Sequence, residues 1–194
     1  MRLWTLPNLL TLLRIALIPV LVAVYYLPWK HASLAAGLIF LAAAITDWFD
    51  GWLARRYNLH TAFGAFLDPV ADKLMVAVVL VVLVQSDPKP WLAVVAAVII
   101  GREISISALR EWMAELGQRA SVAVAWIGKW KTGFQMTALT MMLLREPLFG
   151  LPVYAMGQIC LVVAAVLTLW SALSYLRAAW TVLGQKEYIG LARE

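Results

Sequence analysis

Apolar residues in this chain run in long blocks, not in the amphipathic stripes of a soluble helix or the alternation of a half-buried strand. Six blocks are legible: about Leu6–Leu27, Ser33–Arg55, Phe63–Gln85, Pro90–Leu109, Ile127–Leu144 and Pro152–Leu176. Each approaches the ~20 residues that a helix needs to cross a ~30 Å hydrocarbon layer. Proline and polar clusters punctuate them, as in Leu27-Pro28-Trp29-Lys30 and Ser86-Asp87-Pro88-Lys89-Pro90. The pattern predicts an all-α integral membrane protein with six transmembrane helices. No internal repeat or linker divides residues 1–194, so one domain is expected. The first block is too long for a signal peptide and lacks a small-residue cleavage site.

Composition and charge sharpen this picture. Of 194 residues, 63% are hydrophobic and 14% charged, with a mean hydropathy of +0.82; roughly half apolar is usual for a soluble domain. The net charge of +5 does not point to nucleic acid, because the cations flank the apolar blocks. With the N-terminus inside, the outer loops carry only Lys30, Lys89 and Arg145. The other thirteen of the sixteen Lys and Arg then fall on the cytoplasmic side. Under the positive-inside rule both termini are cytoplasmic. Trp4, Trp29, Trp91 and Trp180 lie near block ends and suit the interfacial belt. The single Cys160 excludes an intramolecular disulfide, and His31 and His60 have no cluster that would give them a metal role.

The second and third blocks contain four aspartates: Asp47, Asp50, Asp68 and Asp72. An ionised carboxylate at the centre of a membrane helix costs about 2.5–3.5 kcal/mol, so four cost on the order of 10 kcal/mol unless something offsets them. At 100° per residue, Asp47, Asp50, Gly51 and Ala54 share one stripe. Asp68 and Asp72 make a second, with Gly64 a further turn back. The short connection near Tyr57–Ala62 makes blocks two and three expected antiparallel neighbours whose polar stripes face each other. Carboxylates so close require a cation, and oxygen-only ligands select a hard one, Mg²⁺ or Mn²⁺. At 1.5 Å per residue Asp47 lies about 20 Å from the outer face and Asp72 about 15 Å from the inner end, which puts the cluster in the inner leaflet. The lack of bulk at Gly51, Ala54 and Gly64 leaves room for a ligand or for close helix packing. Pro69 either kinks or starts the third helix. A divalent-cation transporter is the reading from another class, but it needs polar residues through the outer leaflet. Leu34–Ala44 and Leu74–Val84 are apolar throughout.

Written out, these positions are Asp47-x₂-Asp50-Gly51-x₂-Ala54-Arg55-x₈-Gly64-x₃-Asp68-x₃-Asp72. The string resembles the complete signature of the CDP-alcohol phosphotransferases. Pro7-Asn8-x₂-Thr11-x₂-Arg14, Ile45–Lys73, Gly101–Gly117 and Ser121–Thr132 extend the likeness over nearly the whole chain. They are most similar to the bacterial branch that uses glycerol 3-phosphate. The resemblance implies the CDP-alcohol phosphotransferase fold, a homodimer in the bacterial inner membrane, and phosphatidyl transfer from CDP-diacylglycerol to glycerol 3-phosphate with release of CMP. Serine, inositol phosphate or phosphatidylglycerol are the alternative acceptors. It also implies two metal ions held by Asp47, Asp50, Asp68 and Asp72, with Asp72 as general base. Asn8, Thr11, Gly51, Ala54, Arg55 and Gly64 would bind the CDP-lipid, although a helix N-cap is an equal reading of Asn8. Glycerol 3-phosphate is a dianion and needs cations of its own. Arg102, Ser107, Arg110, Lys129 and Lys131 are the candidates. The alternative is that Arg102 pairs with Glu103 or Glu111 and the lysines bind anionic lipid.

Overall fold

The computed structural model describes residues 5–57, 61–115, 126–148 and 150–191, without the side chains of residues 54, 55, 126–129, 178 and 181–191. Six helices follow one another: α1 (Leu6–Tyr25), α2 (Ala32–Tyr57), α3 (Ala62–Ser86), α4 (Pro90–Glu115), α5 (Trp126–Leu144) and α6 (Val153–Leu191). Among the described residues, four stretches are long and apolar enough to cross a membrane: Leu6–Tyr25, Ala32–Leu53, Pro90–Glu115 and Val153–Arg177. Most boundaries fall within a few residues of the apolar blocks. The exceptions are α4, which continues six residues past Leu109, and α6, which continues to Leu191. Hydrophobicity marks where a helix leaves lipid, not where its backbone bonding ends.

Helix starts have local causes. Pro7 sits in the first turn of α1, where its missing N–H costs nothing. Thr61 caps α3 by accepting the Gly64 N–H at 2.9 Å. Pro69 therefore lies inside α3 and does not begin it.

The main core draws on all six helices, from alternating halves. It takes Leu21 late in α1, Phe40 early in α2, Val79 and Leu80 late in α3, Ile99 early in α4, Leu139 and Met142 late in α5, and Leu161 early in α6. Such alternation is the mark of an up-and-down bundle. The loops after α1, α3 and α5 meet at the same end. There Tyr26 donates to Gln85 at 2.8 Å, Arg145 to the Ser86 carbonyl at 2.9 Å and Tyr154 to Asp87 at 2.7 Å. The Tyr154 hydrogen bond, aided by Lys89, holds the Asp87 carboxyl below its ordinary range. At the surface, Ile45, Trp48, Val94, Ile104 and Trp170 are exposed, an exterior suited to lipid.

The helix neighbours differ from the expected ones. Among the described residues α2 and α3 make no close backbone contact; α1 packs against both. α5 closes the other side by packing on α2 and α3, while α4 and α6 complete a second ring with α3 and α5. Gly157 makes the α5–α6 approach possible: a Cβ there would lie 3.1 Å from the Ala138 carbonyl oxygen and 2.9 Å from Met141 Cβ.

Candidate active site

The polar residues gather in the half of the bundle that the main core leaves open. α1 brings Asn8, Thr11 and Arg14, three or six residues apart and so on one face. All three are buried, Arg14 to 2% exposure. Arg14 reaches both acidic stripes. Its Nη1 donates to Asp47 Oδ1 at 2.6 Å and to Asp72 Oδ1, and its Nη2 to Asp50 Oδ2 at 2.5 Å. The fourth carboxylate is held by the same helix, since the Thr11 hydroxyl donates to Asp68 Oδ1 at 2.6 Å. Every aspartate of the signature thus has one oxygen engaged by α1.

The acidic stripes of α2 and α3 do converge, but they meet on Arg14 of α1, because α2 and α3 make no close backbone contact with each other among the described residues. Four carboxylates in one small volume repel unless a positive charge lies among them. α1 packs against both helices and supplies that charge. Removing one member of a buried ion pair costs about 3–5 kcal/mol, because the partner is left uncompensated. The sequence shows Arg14 as the last position of Pro7-Asn8-x₂-Thr11-x₂-Arg14 and assigns it no role, although the same penalty that flags the aspartates applies to a cation inside an apolar block.

The carboxylates are unequally open. Asp50 is 4% exposed, whereas Asp47 and Asp72 are 34% and 39% exposed. Among the described residues, no nitrogen or hydroxyl donor reaches the second oxygen of Asp47, Asp68 or Asp72. Nor do three acidic, histidine or cysteine side chains there form a ready-made metal cage.

Asn8 is not an N-cap; that position is Thr5. Its amide instead exchanges hydrogen bonds with the Thr61 hydroxyl at 3.0 and 3.1 Å. Gly64 makes room for it, since a Cβ would fall 2.5 Å from Asn8 Oδ1. Gly51 is half-buried on α2 beside Asp50. The side chains of Ala54, Arg55 and Lys129 lie outside the described residues.

Asp68 and Asp72 line a cavity of about 280 Å³ between α3, α4 and α5. Its other walls carry Lys73, Glu103, Lys131 and Gln135. Lys131 is buried and paired with Glu103. A second hollow of about 550 Å³ shares Pro69 and Lys73 with the first and adds Ser107 and Arg110. Ser107 donates to its own Glu103 carbonyl at 2.6 Å. The structure therefore brings Lys131, Ser107 and Arg110 to two adjoining spaces. Arg102 is not with them. It donates to Glu103 at 3.2 Å and to Ser171 of α6 at 2.7 Å, and lies 5.8 Å from the Tyr175 ring centroid. A buried guanidinium needs several acceptors, and α6 provides what the cavity does not. The sequence assigns Lys73 no role and names Glu103 only as an alternative partner for Arg102, a pairing that the structure contains. Their signal was again a charge within an apolar run, next to Asp72 and Arg102 respectively.

Comparison with known proteins places the chain in a family. A family model described as CDP-alcohol phosphatidyltransferase matches residues 4–170. A protein of Salmonella choleraesuis named CDP-diacylglycerol--glycerol-3-phosphate 3-phosphatidyltransferase is 57% identical over 176 residues, 91% of this chain and 95% of its own length. Proteins of the same name from Shigella flexneri and Escherichia coli are 56% identical over the same shares. A family match across most of the chain and relatives of this identity lead to one conclusion: the chain belongs to the CDP-alcohol phosphatidyltransferase family.

Proposed function

We propose that this protein transfers the phosphatidyl group of CDP-diacylglycerol to glycerol 3-phosphate, giving phosphatidylglycerol phosphate and CMP. One observation carries the reading. Two carboxylates of the family signature, Asp68 and Asp72, share a cavity with two cations, Lys73 and Lys131, and that space adjoins Arg110. An acidic wall suits divalent cations and a nucleophile's proton, and a basic wall suits a phosphomonoester. Serine offers no such dianion to the basic wall. The names of the relatives support the same donor and acceptor.

In this reading Asp47, Asp50, Asp68 and Asp72 hold two Mg²⁺ or Mn²⁺ ions. Their donor chemistry fits: all four offer oxygen alone, and three keep a second oxygen without a nitrogen or hydroxyl donor among the described residues. Bound divalent cations supply charge neutralisation for the pyrophosphate and its leaving group. Asn8 and Thr11 carry the nucleotide end with Gly51, Ala54, Arg55 and Gly64. Lys131, Arg110, Ser107 and Lys129 hold the acceptor phosphate, joined by Lys73. Asp72, at the cavity wall, accepts the proton of the attacking hydroxyl. Arg102 acts at one remove, by sharing Glu103 with Lys131.

All six helices cross a bacterial cytoplasmic membrane in this proposal, with both termini and the site on the cytoplasmic side. The count of Lys and Arg supports that orientation: Lys30, Lys89 and Arg145 alone belong to the opposite loops. The deciding assay gives purified protein CDP-diacylglycerol, Mg²⁺ and one alcohol at a time, and measures CMP. Release is expected with glycerol 3-phosphate. Preferential release with serine, inositol phosphate or phosphatidylglycerol refutes the assignment.

A further inference from the structure

The engagement of all four aspartates by a single helix has a consequence for how the site is maintained. α1 binds one oxygen of each: Asp68 through Thr11, and Asp47, Asp50 and Asp72 through Arg14. The guanidinium is buried at 2% exposure, while Asp47 and Asp72 are about one-third open. Arg14 thus approaches from the closed side of the cluster, while the Asp47 and Asp72 side chains stay partly open.

We propose that Arg14 is a positioning residue, a permanent internal counter-ion that keeps the carboxylates of α2 and α3 converged whether or not divalent cations are bound. Many metal sites built only from acidic side chains couple assembly to the metal, because the ligands repel one another until the ion arrives. A fixed guanidinium removes that dependence. It is delocalised and always charged, and its rigid fork serves several carboxylates at once. α2 and α3 have no close backbone contact of their own among the described residues, whereas α1 packs against both and its Arg14 ties Asp47 and Asp50 of α2 to Asp72 of α3. The inference rests on the divalent-cation reading of the aspartates. It adds that the site stays assembled without the ion.

The test is thermal unfolding of purified full-length protein in detergent, with EDTA or with excess Mg²⁺, so that activity plays no part. The wild-type midpoint is expected to rise by a few degrees with Mg²⁺. Arg14→Gln is expected to fall on the order of 10 °C in EDTA and to recover most of that loss in Mg²⁺, giving a much larger metal-induced shift than wild type. Arg14→Lys, which keeps one positive charge, is expected to show an intermediate shift. A merely structural role predicts another result: Arg14→Gln would lose the same amount with and without Mg²⁺. That outcome overturns the inference and leaves the cation site standing. No response to Mg²⁺ in either protein overturns both. If Arg14→Gln cannot be isolated, the charge-balanced pair Arg14→Gln with Asp47→Asn decides. Its recovery as a folded protein supports the counter-ion, and a failure equal to that of the single variant overturns it.

Discussion

Replacing Gly64 by alanine tests how the nucleotide side of the site is held. A Cβ at this position would lie 2.5 Å from Asn8 Oδ1 and 3.1 Å from Thr61 Oγ1. Non-bonded contacts to carbon settle near ~3.5 Å, so Asn8 must retreat by about 1 Å. Asn8 is short, 2% exposed and hydrogen-bonded to Thr61 in both directions, so the retreat breaks both bonds. Leaving a buried amide short of partners costs about 1–3 kcal/mol, and disturbing the Thr61 cap on α3 adds about 1 kcal/mol. A loss of about 2–4 kcal/mol lowers the unfolding midpoint by roughly 4–16 °C at this chain length. Thr11 lies one turn beyond Asn8 and holds Asp68, so the KM for CDP-diacylglycerol is expected to rise about tenfold, the equivalent of 1.4 kcal/mol. The assay is a double-mutant cycle with Asn8→Ala, read by thermal unfolding and by CMP release. In the Asn8→Ala background, Gly64→Ala should cost little more, because its main obstacle is gone. Equal costs in both backgrounds would falsify the clash as the reason for glycine.

Three further outcomes are expected. Lys131→Met and Arg110→Ala should each raise the KM for glycerol 3-phosphate at least tenfold while changing that for CDP-diacylglycerol little; steady-state kinetics on both substrates checks it. Asp72→Asn should lower kcat by about 100-fold or more, the usual size of a general-base contribution, and normal turnover would remove Asp72 from that role. At the opposite end, Asp87 has a depressed folded pKa, so its contribution to stability is complete above the unfolded carboxylate pKa and fades as pH falls through the folded one. Tyr154→Phe should therefore reduce stability at neutral pH and flatten its acid dependence below about pH 4, measured as unfolding midpoint against pH.

Much of the arrangement was legible in residues that must act locally. The apolar blocks predicted six helices because a backbone in lipid has to bond to itself, and that requirement is written into each segment separately. The aspartate spacing predicted two acidic stripes for the same reason, since helical periodicity needs no neighbour to express it. The demand for a positive charge beside them followed from Coulomb repulsion alone.

Which helix meets that demand was settled by packing across the chain. A short connection between α2 and α3 suggested that they touch, yet α1 lies against both and carries Arg14 to Asp47, Asp50 and Asp72. Likewise, Arg102 and Lys131 are equally cationic in sequence, but one turns to Ser171 and Tyr175 of α6 while the other lines the cavity. Spacing along a helix decides which side chains share a face. The face's partner depends on the free energy of the whole bundle, where every buried charge has to find its opposite at once.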